Sequence, residues 1–226
     1  MRAGSDAEAG ARLERAAFWL VFGLYAAGLL LWLTIGALPS LASAIAGFRH
    51  YLEHVAASGG FGSGIAALII NRNLLMARGG TAAAQYLFSL LNVILGVLLI
   101  VRRPHQRLTR LLVFALLGTA ATFNIPSHQV FDIIGRPPPV KVAHFTFHIV
   151  SGVAYFWAVV LFPDNALPPG IRLSRRAAWV VVIVMTAVVS IVSWRGSFLA
   201  HPRFFAVFFG IVIPSAGIPA QTLRIR

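Results

Sequence analysis

The chain of 226 residues is 58% hydrophobic and only 11% charged, with a mean hydropathy of +0.82, which excludes an ordinary water-soluble domain. A formal net charge of +13 would suit a nucleic-acid binder, yet the arginines stand in short clusters beside apolar runs and form no continuous basic face, so nucleic acid is not an expected partner. Cysteine is absent, which excludes disulfides, thiolate metal sites and a cysteine nucleophile.

Residues 1–15 read as a cytoplasmic tail ending in Arg12 and Arg15, followed by a first apolar span over 16–36. With Ser40, Ala42 and Ala44 beyond it, this start has the outline of a signal peptide. Its apolar run exceeds the usual h-region of about 7–15 residues, so an uncleaved anchor is expected. An external loop follows over 37–81. Its first part, 39–57, suits an amphipathic surface helix with Arg49, His50, Glu53 and His54 on one side. After Ser58-Gly59-Gly60, the run from Ile65 to Met76 is too short to cross and suits a re-entrant or interfacial segment.

Further spans are predicted over 82–101, 109–128, 141–162, 177–195 and 204–220, with a proline turn at Gly135 to Pro139 between the third and fourth. The expected fold is therefore an all-α, polytopic integral membrane helix bundle of six transmembrane helices over 16–220. Both termini are cytoplasmic, the last segment being 221–226. Twelve of the 19 basic residues then lie inside, crowding the short loops at Arg102, Arg103, Arg107 and Arg110 and at Arg172, Arg175 and Arg176, as the positive-inside rule requires.

Three stretches carry a family likeness. Asn92 and Gly96 precede the basic turn Arg102-Arg103-Pro104 with Arg107 and Leu111-Leu112. Leu161-Phe162-Pro163-Asp164 forms a turn after a span, with Asn165 where a glycine is usual. Gly217, Ala220, Gln221 and Arg224 lead into an arginine-rich exit strip. In order and spacing, over residues 85–226, they resemble the multi-span membrane input region at the N-terminus of bacterial, especially actinobacterial, sensor histidine kinases.

The resemblance implies a sensory input module in the bacterial inner (plasma) membrane. It also implies a homodimer, a cytoplasmic kinase or other effector as partner, and signal exit through Pro214, Gly217, Gln221 and Arg224. The sequence ends at Arg226 without a phosphate-binding glycine loop or kinase core, so kinase catalysis is not expected of this chain.

Six of the seven histidines fall on the predicted external side. His144 and His148 lie one helical turn apart, and Ser151 and Tyr155 continue their face of the fourth span. With His128 and Asn124 at the outer end of the third span, these residues are the candidates for sensing a ligand or a proton. The pairs His50/His54 and His144/His148 also have the spacing of transition-metal ligands, which makes a histidine-rich redox or metal-binding protein, with haem or a metal ion, the alternative reading. Helix anchoring and interhelical hydrogen bonding are the structural role open to the same residues.

Enzyme chemistry finds little support. Of six acids, Glu53 and Asp132 alone are predicted outside, and no Ser-His-acid arrangement is recognisable, so no catalytic residues and no resident cofactor are expected. Pro126, Pro214 and Pro219 each break local helical hydrogen bonds, and the Pro214 to Gly217 stretch is the best candidate for a kink or hinge. A small transporter is the third reading, but no carboxylate stands near mid-bilayer, and that stretch supplies the only discontinuous helix of the kind a transporter needs. The tryptophans, mainly toward span ends, suit interface anchoring.

Overall fold

The computed structural model describes residues 2–60, 62–70, 79–134, 138–194 and 213–225, and among these every regular element is an α-helix. They are α1 (Arg2–Ala44), α2 (Ala46–Ala57), α3 (Ser63–Ile69), α4 (Gly79–Arg102), α5 (Arg107–Thr122), α6 (Ile125–Ile134), α7 (Pro138–Leu161), α8 (Arg175–Trp194) and α9 (Ile213–Ile225).

Helix ends follow the prolines and caps. α4 stops just before Pro104 and α7 just before Pro163, where a missing N–H and ring clash prevent continuation. α8 starts behind Ser174, whose Oγ accepts the Ala177 amide at 3.1 Å as an N-cap. α1 runs well beyond the predicted first span at both ends, because its flanks are alanine-rich and favour helix. Of the predicted surface helix over 39–57, Ala46–Ala57 form α2, with Arg49 and Glu53 paired at 2.9 Å on its exposed side and Leu52 buried, while 39–44 continue α1. Of the predicted re-entrant segment, α3 accounts for the first residues, and 71–76 lie outside the described residues.

The predicted third span, 109–128, is not one helix. α5 ends at Thr122 and α6 begins at Ile125. Pro126 lacks the N–H that would bond the Thr122 carbonyl four residues back, and the Asn124 side chain instead accepts the Ser127 amide at 3.0 Å, starting a new helix.

α5 is the centre of the bundle, packed most extensively on α7 and α4, with α1 lying across α5 and α6. Tyr25, Leu29, Ile100, Val113, Leu117, Ala120, Ala121 and Phe147 form the main core. Ala42, Leu52, Ala66 and Ile69 form a smaller one that ties α2 and α3 to the end of α1. Two glycines let neighbouring helices approach closely. A methyl on Gly36 would lie 2.5 Å from Cα of Ser127, and one on Gly118 would lie 2.6 Å from the Tyr25 hydroxyl. Near the turn between α4 and α5, the Arg110 guanidinium lies 4.2 Å over the Phe18 ring and its Nε donates to the Pro104 carbonyl at 2.9 Å, fixing α1 against that turn.

Two helical stretches are long and apolar enough to cross a membrane, Arg12–Ala44 of α1 and Ala82–Arg102 of α4. Thr146–Leu161 and Arg176–Ala187 are apolar but shorter, so the described residues supply two helices of crossing length where the sequence predicts six.

Candidate functional site

Polar side chains gather at the end of the bundle away from the Arg102–Arg107 turn, on the first half of α4, the end of α5, the start of α6 and the middle of α7. Ser89, Asn124, Ser127, His128, His148 and Ser151 are all buried there. Such groups are tolerated inside only when hydrogen-bonded.

The break between α5 and α6 organises them. The Thr122 carbonyl, left without a helical donor by Pro126, accepts from His128 Nε2 at 2.7 Å. A carbonyl can only accept, so His128 carries its proton on Nε2. The Thr122 hydroxyl lies 3.2 Å from His148 Nδ1. The two imidazoles stack, with centroids 5.4 Å apart and planes 14° from parallel, and Trp32 of α1 meets His128 edge-on at 5.6 Å.

Asn124 is the second node. Its Nδ2 donates to Ser89 Oγ at 3.1 Å, and Ser89 in turn donates to the Ala120 carbonyl at 2.8 Å. Its Oδ1 also accepts from Ser127 Oγ at 2.9 Å. Gln85 completes the cap of α6 by accepting the Ile125 amide at 3.0 Å, and the Tyr86 hydroxyl donates to the Leu33 carbonyl at 3.2 Å.

α7 runs from this core to a second polar site at the opposite end. His148 and Ser151 both face α5, Ser151 donating to the Ala115 carbonyl at 3.3 Å. Thirteen residues on from His148, about 20 Å along the axis at about 1.5 Å per residue, α7 ends at Leu161. The Asn165 amide takes the Leu161 carbonyl at 2.8 Å, but Pro163 has no N–H for the Val159 carbonyl, and α9 provides donors there and to the carbonyls beside it. Gln221 Nε2 donates to Val159 O at 3.2 Å and Phe162 O at 2.9 Å. Arg224 donates to Val160 O at 3.1 Å and also to the carbonyls of Phe162 and Ala166. It pairs with Asp164 at 3.2 Å. A guanidinium at a helix C-terminus is also favoured by the helix dipole. Gly217 makes the approach possible, since a methyl there would collide with Val159. Asn165 adopts φ +60 in the turn, the backbone conformation that glycine favours and asparagine tolerates well.

Of the sensing candidates, the structure brings together His128, His148 and Asn124. Tyr155 is half-buried two turns further along α7, and the side chain of His144 lies outside the described residues. His50 and His54 are exposed on α2. No group of three or more metal-ligating side chains occurs among the described residues. Gln221, Arg224 and Gly217, predicted as a signal exit, meet at the end of α7, while the side chain of Pro214 lies outside the described residues. Sequence reasoning missed Thr122, Ser89, Gln85 and Tyr86. Thr122 was legible, being four residues before Pro126. Trp32 also departs from the anchoring role, packing against the core. Comparison with protein-family models, with curated proteins and with solved structures finds no match.

Proposed function

We propose that the chain is the membrane-embedded sensory input module of a bacterial signal-transduction protein, passing an external or bilayer stimulus to a cytoplasmic effector. In this reading the apolar helices cross the inner membrane six times, with both termini in the cytoplasm, and two copies pair as a homodimer.

Membrane embedding is supported by an inverted distribution of polarity. Asn124, Ser127, His128 and His148 are buried, whereas Leu24, Leu87 and Ile183 are 66%, 68% and 62% exposed. Water would penalise those outward aliphatic side chains, and hydrocarbon would not.

The observation that carries the sensory reading is the connection of two polar sites by one helix. α7 holds His148 against Thr122 in its middle and offers its terminal carbonyls to Arg224 and Gln221 at its end. A stimulus that favours a different packing of the histidine pair shifts α7, and a shift of α7 changes the grip on α9. Coupling of this kind is typically about 1–3 kcal/mol. A redox or metal role is the weaker reading, because a metal would have to displace Thr122 from both rings.

The test joins the full chain through Arg226 to a histidine-kinase core and follows autophosphorylation in proteoliposomes while external pH and lipid composition vary. The proposal expects output that varies with one of these conditions and responds less in the Arg224→Ala variant. Constant output under all conditions, in wild type and variant alike, contradicts it.

A further inference from the structure

A groove of about 720 Å³ opens between α5, α7 and α8 at the arginine-rich end of the bundle, within the range of about 300–1,000 Å³ usual for small-molecule sites. Leu111, Val153, Trp157, Leu161 and Trp179 wall it, and the one charged residue among its described lining is Arg107, exposed at the first turn of α5.

Its charge is one-sided. Segments 102–110 and 172–176 contain seven arginines and no acid. Two acids at this end are already paired, Asp164 with Arg224 at 3.2 Å and Glu14 with Arg110 at 4.0 Å. Arg107 itself has no ion-pair partner among the described residues. The lining thus combines an uncompensated cation at one end with an apolar channel of Leu, Val and Trp leading away from it. This is complementary to a molecule with an anionic head and a long hydrocarbon tail.

We infer that the groove is a binding site for one anionic phospholipid, its phosphate against Arg107 and an acyl chain between Trp157 and Trp179. The inference rests on the membrane reading above, which places Arg107 at headgroup depth on the cytoplasmic face, where basic pockets between helices select anionic lipids. A soluble anion would leave the apolar walls unused, and a zwitterionic lipid would place its own cation near Arg107.

The test is native mass spectrometry of the full chain, purified in detergent and equilibrated with equal amounts of phosphatidylglycerol and phosphatidylcholine of the same acyl composition. Wild type is expected to retain one phosphatidylglycerol in preference to phosphatidylcholine by about fivefold, the effect of one basic residue facing an anionic headgroup. Arg107→Gln should bring the ratio close to one, Val153→Trp should abolish retention of either lipid, and Arg49→Gln on α2 should change nothing. Equal retention by wild type, an unaltered preference in Arg107→Gln, or equally strong binding of glycerol phosphate without acyl chains overturns the inference. Membrane extraction of the same preparation separates the two failures. A chain that requires detergent but shows no preference loses only the lipid site, whereas one that is recovered in aqueous buffer loses the membrane reading as well.

Discussion

His128 donates its Nε2 proton to the carbonyl of Thr122, the carbonyl that Pro126 deprives of its helical partner. The same logic operates at the far end of α7, where Pro163 has no N–H for the Val159 carbonyl and Gln221 Nε2 takes it at 3.2 Å. In both places a proline creates an unsatisfied acceptor and a side chain from elsewhere in the fold satisfies it.

Asn124 makes the larger contribution to the histidine end, since it is fully buried and bonds Ser89 and Ser127. Asn124→Ala is expected to lower stability by about 2 kcal/mol and Thr122→Val by about 1 kcal/mol, because partners are left buried without their bonds. Chemical unfolding in detergent, followed by circular dichroism, measures both. A loss of under about 0.3 kcal/mol for Asn124→Ala removes that network as an organising element.

Close approach of helices gives a second expectation. Gly36→Ala places a methyl against Ser127 and Gly118→Ala places one against Ser151 and Tyr25, and each should cost about 1–3 kcal/mol by overpacking. Gly23→Ala, with nothing within 4 Å, should be neutral or slightly stabilising. Thermal midpoints of the three purified variants decide it, and equal midpoints refute the packing.

At the clasp, Arg224→Lys should release α9 nearly as fully as Arg224→Ala, because an ammonium on a flexible stem cannot span the carbonyls that the guanidinium fork reaches. Limited proteolysis reports the release. Asp164→Asn should matter little, about 0.5 kcal/mol, since that carboxylate is more than half exposed. Asn165→Gly should be tolerated and Asn165→Ala should cost about 1 kcal/mol at its positive φ. Rescue by lysine contradicts the multiple-carbonyl geometry.

The absence of native cysteine makes the proposed orientation directly measurable. Single cysteines at Arg103 and Arg176 should react with impermeant maleimide only after cells are opened, and one at Gly59 should react from outside. Labelling of the arginine turns in intact cells reverses the orientation and with it the route from stimulus to exit.

Much of the fold was legible in the sequence because it depends on local features. Apolar runs bounded by arginine clusters and prolines gave α4, α7 and α8 close to their observed ends. The i, i+3 spacing put His148 and Ser151 on the face that meets α5. The third span reads as continuous by hydropathy, and although Pro126 marks a local break in the hydrogen bonding, the start of another helix at Asn124 shows only in the cap geometry. Ser89, Gln85 and Tyr86 were missed for a different reason. Each lies on α4, about 35 to 50 residues from its partners, and no spacing rule links residues across that distance. The exit residues Gln221 and Arg224 came from a family resemblance, and their carbonyl partners emerged only when α9 was placed against α7.

The proposed coupling of the histidine pair to the Arg224 clasp through α7 is directly measurable. Pulsed electron paramagnetic resonance between spin labels on His105→Cys and Thr222→Cys, both exposed positions, measures the placement of α9 relative to the α4–α5 turn in liposomes. The account expects His148→Ala to move or broaden that distance distribution while His50→Ala leaves it as in wild type. An unchanged distribution in His148→Ala contradicts the account.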